Sequence, residues 1–392
     1  MSDFGIICEV NPLHGGHQYL LDEARRRGAE RIVCVMSGNS VQRGELAVAD
    51  GYTRAEALVA CGADLVLELP YPWCSASAEF FARGGISVLG GLVDRVIFGS
   101  ECGDIGRLSE AAELAATPEF RQAYEERLAS GKQAAASYYE LLRRGGAGEL
   151  FSNDLLGIEY IRAAKTLSVP IGFETVMRQG EAYDSENVEA AYPSALAIRQ
   201  RWKEGDFSRM EEYLPTASAE VFRRAYEEGL LTDERELSEA ILLFFRLCEP
   251  ESLSHIAGAE GGLVYRLRDA ARESVTAEEM MERIRTKRYT DAALRRLALH
   301  CMTGVTREDL QALPTYTTLL AASERGRELL AQKRRKGELL IVTKPSDAPV
   351  DTRQFILSEK LNALFTLSTP RKQPVGSMLK KGPYIGLHST VE

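Results

Sequence analysis

Two histidines three residues apart follow the first apolar run of this 392-residue chain, in Glu9-Val10-Asn11-Pro12-Leu13-His14-Gly15-Gly16-His17. At the start of a helix, side chains at that spacing project from the first turn toward one point. Imidazoles placed there donate hydrogen bonds to phosphate oxygens, and such donors matter most when charge moves onto a departing pyrophosphate. The residues before the pair read as a strand (4–9) and those after it as a helix (16–27). Ligands of open α/β sheets bind at the carboxyl ends of strands. A helix N-terminus in that position offers free N–H groups and positive potential. Gly15 and Gly16 let a nucleotide approach the backbone closely. For a bare His-x-x-His the alternatives are a surface pair or half of a metal site, but the strand–turn–helix setting favours the phosphate reading.

Other polar segments fall at the same sheet edge. The loop Met36-Ser37-Gly38-Asn39-Ser40-Val41-Gln42-Arg43-Gly44-Glu45 follows the second expected strand and is placed to line a pocket. Phe98-Gly99-Ser100-Glu101 follows the fourth, where Gly99 leaves room for a base or ribose. Ser152-Asn153-Asp154 reads as a helix cap, as does Thr53-Arg54-Ala55-Glu56. Arg178 follows a possible edge strand and is placed to meet phosphates. Tyr192-Pro193-Ser194-Ala195 opens a further helix, with Arg199 able to reach inward.

These residues need a scaffold. Short apolar runs at 4–9, 31–36, 65–69 and 95–98 alternate with helical segments at 16–27, 55–61 and 77–89. That order predicts an α/β fold, a parallel sheet with helices on both faces and right-handed crossovers. Residues 105–167 read as helical, and 170–175 as a return to the sheet edge. Beyond Tyr192 the pattern is almost entirely helical, with helices at 237–247, 262–272, 278–285, 291–300 and 352–365 and one strand at 338–343. The expected division is a Rossmann-like catalytic domain over 1–205 and a mainly α-helical domain over 206–392. The last 20 residues, rich in Gly, Pro and Lys, are expected to lack regular structure in part.

Composition narrows the function classes. No apolar run reaches the roughly 18 residues of a membrane span, and the N-terminus has no basic region before a cleavable apolar stretch. Seven scattered cysteines form no Cys-x-x-Cys pair, which disfavours zinc ribbons and disulfide scaffolds and fits a reducing cytoplasm. The net charge is −9, yet residues 331–392 carry +6 and the first 330 carry −15. A dense basic segment, Arg283-Ile284-Arg285-Thr286-Lys287-Arg288-Tyr289 continuing to Arg295-Arg296, interrupts the acidic body. Its cations suit nucleic-acid phosphates and Tyr289 suits base stacking, with a solvated helix face as the alternative. Lys333-Arg334-Arg335-Lys336 is a second basic block with the same alternative.

Glu-x-Asn-Pro-x-His-x-Gly-His at 9–17 carries the HxGH signature of the nucleotidyltransferase superfamily. Read with Met36-Ser37-Gly38-Asn39, Gln42-Arg43-Gly44-Glu45, Thr53-Arg54-Ala55-Glu56, Phe98-Gly99-Ser100-Glu101 and Arg285-Thr286-Lys287-Arg288-Tyr289-Thr290, the chain resembles the bacterial tRNA(Met) cytidine acetate ligase family over residues 4–345. The resemblance implies an ATP-dependent enzyme that forms acetyl-adenylate and pyrophosphate, normally with Mg²⁺. The acetyl group then goes to N4 of the wobble cytidine of elongator tRNA(Met). It implies catalytic roles for His14 and His17. It implies ATP contacts from Ile7, Cys8, Glu9, Val10, Asn11, Pro12, Leu13, His14, Gly15, Gly16, His17, Gln18, Tyr19 and Leu20, with Gly99, Asn153 and Arg178. No protein metal ligand is expected. The RNA would meet Arg283, Arg285, Lys287, Arg288, Arg295 and Arg296.

Val10 and Leu13 stand where the family has aromatic residues, Gly15 where Asn is usual, and Leu46 in place of a proline. Two other readings remain: a small-molecule adenylyltransferase, whose known forms are far shorter, and a non-catalytic RNA-binding module.

Overall fold

The computed structural model describes residues 2–178, 194–204, 207–333 and 339–386. β1 (Ser2–Cys8) lies between β2 (Ala29–Ser37) and β4 (Arg95–Ser100), parallel to both. β3 (Leu65–Leu69) continues the sheet beyond β2, and β5 (Gly172–Met177) beyond β4, again in parallel. The crossovers run through α1 (Gly15–Arg26), α2 (Gly51–Ala60) and α3 (Ala78–Leu89). Ile32, Val33, Cys34, Val35 and Met36 of β2 are all fully buried, because helices cover both faces of the sheet. The elements expected for residues 4–175 are present, with ends shifted by a few residues.

After β4 come α4 (Ile105–Ala116), α5 (Pro118–Ala129), α6 (Ala134–Leu142) and α7 (Ser152–Thr166). Between β5 and the next strand come α8 (Ala195–Glu204), α9 (Ser208–Glu211), α10 (Thr216–Glu227), α11 (Ser238–Leu247), α12 (Leu263–Glu273), α13 (Ala277–Arg283), α14 (Asp291–Thr303) and α15 (Arg307–Gln311). Residues between Leu242 and Cys301 form an apolar core of their own. This helical body docks on the loop after β3: Tyr71 Oη lies 2.7 Å from Thr303 Oγ1, and Trp73 Nε1 donates to Ala312 O at 2.9 Å.

The chain then returns to the sheet. β6 (Tyr316–Ser323) pairs antiparallel with β3, and β7 (Leu340–Val342) and β8 (Tyr384–Gly386) pair in parallel with β6. The order is β5-β4-β1-β2-β3-β6-β7, with β8 also on β6. α16 (Glu324–Lys333) and α17 (Arg353–Leu367) complete this part. The division expected at 205/206 therefore does not separate sheet from helices, since residues 316–386 supply three strands to the same sheet. β6 is not among the expected strands. All eight of its residues are buried, so it lacks the alternation that distinguishes a strand from a buried helix. The segment expected to lack regular structure also packs in part: Met378 is buried, and Lys381 pairs with Asp50 at 2.8 Å.

One fully buried side chain ties the strand ends together. Arg54 of α2 donates from Nη1 to Glu9 O at 2.6 Å, from Nη2 to Ser37 O at 2.9 Å and to Gly38 O, and from Nε to Ala49 O at 2.8 Å. Burial lowers its pKa to about 10, so it stays cationic at neutral pH. The sequence reading of this segment as an ordinary cap misses that role; the cap of α2 is Asp50, which accepts from Tyr52 and Thr53 N–H. Removing the guanidinium leaves several buried carbonyls without donors, each costing about 1–3 kcal/mol. Arg54→Met is expected to lower unfolding free energy by about 3–5 kcal/mol in urea denaturation. A loss below about 1 kcal/mol would contradict the clamp.

Candidate active site

β1 ends at Cys8 and the chain turns sharply before α1. Val10 has φ 52°, a left-handed backbone that β-branched residues avoid. It is held by full burial and by its neighbour: Asn11 Oδ1 accepts from Val48 N–H at 2.7 Å, and Asn11 O accepts from Arg199 Nη1 at 2.7 Å. This turn delivers His14 as the N-cap of α1. Its Nδ1 accepts from Gly16 N–H at 3.1 Å, while His17 Nδ1 accepts from His14 N–H at 3.3 Å. The two rings lie 4.1 Å apart, tilted by 48°.

An acceptor at Nδ1 leaves the ring proton on Nε2 when the imidazole is neutral. Both rings are neutral at pH 7. Burial, His17, Arg178 and Arg199 hold His14 well below the usual imidazole range. Burial and Arg178 push His17 down to about 4. The free amides expected at the helix start are largely used, because Gly16 N–H is taken by His14 and His17 N–H by His14 O at 2.9 Å. Each imidazole thus accepts from the backbone on one side and presents an Nε2–H donor on the other.

The histidines line an open cleft at the carboxyl ends of β1, β4 and β5. Of the expected nucleotide contacts, Ile7, Cys8, Glu9, Val10, Asn11, His14, Gly16, His17, Tyr19, Leu20, Gly99, Asn153 and Arg178 stand on its wall. Pro12, Leu13, Gly15 and Gln18 do not. Pro12 and Leu13 are buried beneath the turn, and Gln18 reaches away to Asp22 at 2.9 Å and Cys61 O at 3.1 Å. Apolar walls come from Phe81, Phe98, Leu156, Tyr160, Val176 and Met177, on four separate elements; none of these was among the expected nucleotide contacts. Val41, Gln42 and Arg43 of the loop after β2 also line the cleft, as do Ser194 and Arg199. Tyr192 and Pro193 lie outside the described residues. Among the described residues, no three His, Cys, Asp or Glu gather to hold a metal ion.

Two guanidiniums border the imidazoles. Arg178 has no carboxylate partner among the described residues, whereas Arg199 is bound by Glu45 at 3.0 Å. Glu45 also binds Arg295 of α14, and Arg296 donates to Gln42 O at 2.9 Å. Burial lowers Arg296 to about 10. Gly44 in this loop has φ 76°, and a Cβ there would lie 2.4 Å from Arg296 N. Arg295 and Arg296 therefore anchor the loop beside the cleft.

The rest of the basic segment is not one helix. It is the end of α13, a turn closed by a Thr286–Tyr289 bridge, and the start of α14. Arg283 pairs with Glu279 at 2.9 Å and Arg285 with Asp291 at 2.8 Å. Lys287 and Arg288 are exposed without a carboxylate partner among the described residues, and Arg288 lies over the Tyr289 ring at 5.4 Å. Arg334, Arg335 and Lys336 lie outside the described residues.

A sequence model of the family described as HIGH Nucleotidyl Transferase matches residues 1–377. A tRNA(Met) cytidine acetate ligase of Acetivibrio thermocellus is 33% identical over 369 residues, covering 88% of this chain and 89% of that protein. One from Thermotoga maritima is 34% identical over 377 residues, covering 89% and 90%. The apo crystal structure of Thermotoga maritima TmcAL superposes with a TM-score of 0.91 at 31% identity, over 99% of this chain and 100% of that one. The form bound with alpha-thio ATP gives 0.87 at 30% identity, with the same coverage.

The assigned tautomers make a pH prediction. The His17 ring titrates lower in the folded chain than in the unfolded one, near 6.5, so its stabilising contribution is complete above about pH 6.5 and is lost as pH falls toward about 4. The His17 ring resonances of nucleotide-free protein are expected to stay constant from about pH 8 to 5.5 and to titrate near 4. A midpoint near 6.5 would refute the buried neutral pair.

Proposed function

The chain belongs to the HIGH nucleotidyl transferase family and, within it, to the tRNA(Met) cytidine acetate ligases, and from that premise we propose that it joins acetate to tRNA(Met) at the expense of ATP. In the first step a carboxylate oxygen of acetate attacks the α-phosphorus, the bond to the bridging oxygen breaks, and pyrophosphate leaves. In the second, the N4 amine of the wobble cytidine attacks the acyl carbon, AMP departs and the amine loses a proton. The observation that carries the reading is the paired Nε2–H donors of His14 and His17, fixed by their own backbone and flanked by Arg178 and Arg199.

Donors held in place before reaction stabilise charge moving onto pyrophosphate without reorganising. Neutral imidazoles suit this better than imidazolium, since their donor geometry does not depend on a proton arriving near pH 7. Arg178 and Arg199 supply the fixed positive charge. Mg²⁺ would enter on the phosphate oxygens, its usual carrier in sites without a protein cage, and would neutralise phosphate charge. The acyl-adenylate is already activated, so the second step is mainly positioning.

Acetate, tRNA(Met) and a cytoplasmic setting belong to the same proposal, as does assigning the RNA to the helical body. There, Lys287 and Arg288 meet phosphates and Tyr289 offers a stacking face, with Arg283 and Arg285 beside them. Arg295 and Arg296 hold the loop after β2. The protein has the sheet, an open cleft at its edge and a helical body whose Arg295 and Arg296 hold the loop on the cleft wall, which favours a large acceptor over a small adenylyl acceptor.

Purified protein given labelled acetate, ATP, Mg²⁺ and tRNA is expected to label the tRNA only when ATP is present. Label absent from tRNA while nucleotide acceptors turn over would favour the small-molecule adenylyltransferase. His17→Ala should reduce acetylation at least about 100-fold with tRNA affinity nearly unchanged; full activity would remove His17 from the mechanism. Replacing Lys287 and Arg288 together by Ala should weaken tRNA binding and lower the salt slope by about 2. An unaltered slope would assign the RNA to another surface.

A further inference from the structure

Behind the cleft-wall residue Asn153 lie two interlocked carboxylates that the reaction scheme leaves unused. Asp154, fully buried in the first turn of α7, accepts from Glu101 and Cys102 N–H, each at 3.0 Å, and from Phe151 N–H at 2.8 Å. Glu101, in the loop after β4, reaches back. Its Oε1 accepts from Asn153 Nδ2 at 2.6 Å and its Oε2 from Asp154 N–H at 3.2 Å. The loop and the helix start thus clamp each other by reciprocal bonds. Gly157 seals the contact, since a Cβ there would lie 2.3 Å from the Phe98 ring.

An ionised carboxylate only accepts. Glu101 therefore decides which way the Asn153 amide faces: its nitrogen must turn to Glu101, and its carbonyl oxygen is left on the cleft side. That oxygen has no partner among the described residues, and Asn153 is on the cleft wall beside Gly99, Leu156 and Tyr160. Phe98, Leu156 and Tyr160 on this wall are apolar and aromatic, suited to a base, whereas His14, His17 and Arg199 offer groups for phosphate; Arg178, whose side chain packs against Gly99, also acts on His17. We propose that Glu101 is a positioning residue that sets Asn153 as a hydrogen-bond acceptor for the 6-amino group of adenine, and so selects ATP over a 6-oxopurine triphosphate. The proposal rests on the ATP reading above. A 6-oxo group would face the Asn153 oxygen acceptor to acceptor, with a buried acceptor left unpaired.

The chemistry of the substitution is specific. In Glu101→Gln the single amide oxygen must still serve Asp154 N–H, whose direction is set by the helix. The new amide nitrogen then faces Asn153, which has to turn its oxygen inward and its nitrogen toward the base. The acceptor becomes a donor with no change in size.

Equilibrium binding of ATP and of inosine triphosphate to the full chain tests this. Wild-type protein is expected to prefer ATP by about tenfold or more, the worth of one hydrogen bond. In E101Q that preference should fall to about twofold or invert, while Glu101→Asp, still acceptor-only, should keep it even if overall affinity drops. General damage to the loop would weaken both nucleotides alike and leave the ratio unchanged. ATP preference retained in E101Q overturns the proposal, as does equal binding of both nucleotides by wild type, a result that does not depend on any variant folding. Binding of neither nucleotide by wild type would instead overturn the ATP reading, and the present proposal with it.

Discussion

The Arg54 guanidinium is the interaction on which the cleft depends. A buried cation with no contacting carboxylate among the described residues must be solvated by dipoles, and here the carbonyls of Glu9, Ser37, Gly38 and Ala49 provide them. Those carbonyls belong to the ends of β1 and β2 and to the approach to α2. The charge therefore holds three chain segments at one point, where backbone ladders have stopped and water would otherwise compete. Lys381, arriving from the far end of the chain, pairs with the Asp50 that caps the same helix. The carboxyl edge of the sheet is thus held from the inside by one cation and closed from the outside by another.

On that fixed edge, the strained turn at Val10 and the capping role of His14 follow. Helix starts generally leave amides to bind anions directly. Here the imidazoles stand between amide and cleft, taking a backbone amide hydrogen at Nδ1 and offering their own at Nε2. The exchange extends the reach of the helix start by one ring and leaves a donor whose position is set by covalent geometry. Burial keeps both rings neutral, and neutrality is what makes the tautomer, and hence the donor, unambiguous.

The helical body is joined to the cleft through polar contacts with the loop after β2. Glu45 lies between Arg199, which touches the turn before α1, and Arg295, which belongs to α14. The helix that follows the turn bearing exposed Lys287 and Arg288 is therefore connected through one carboxylate to the wall of the cleft. The basic segment is therefore divided: half-buried Arg295 and Arg296 hold the loop, while exposed Lys287 and Arg288 lie in a turn.

The local chemistry was legible in the residues themselves. A strand, a Pro-containing turn and His-x-Gly-His at a helix start place two imidazoles at the cleft because period, capping and spacing are all short-range properties. The alternation of elements up to residue 175 was legible for the same reason. What tertiary structure decided is whatever depends on residues far apart meeting: β6 inserting beside β3, Arg54 crossing to two strand ends, Arg295 turning inward to Glu45, and Glu101 fixing the amide of Asn153. Each is a contact of long sequence separation between groups whose local context is unremarkable. A continuous buried run has no face to betray its strand, and a buried arginine has the same neighbours in sequence as an exposed one. Only the folded chain shows which carbonyl or carboxylate each cation reaches.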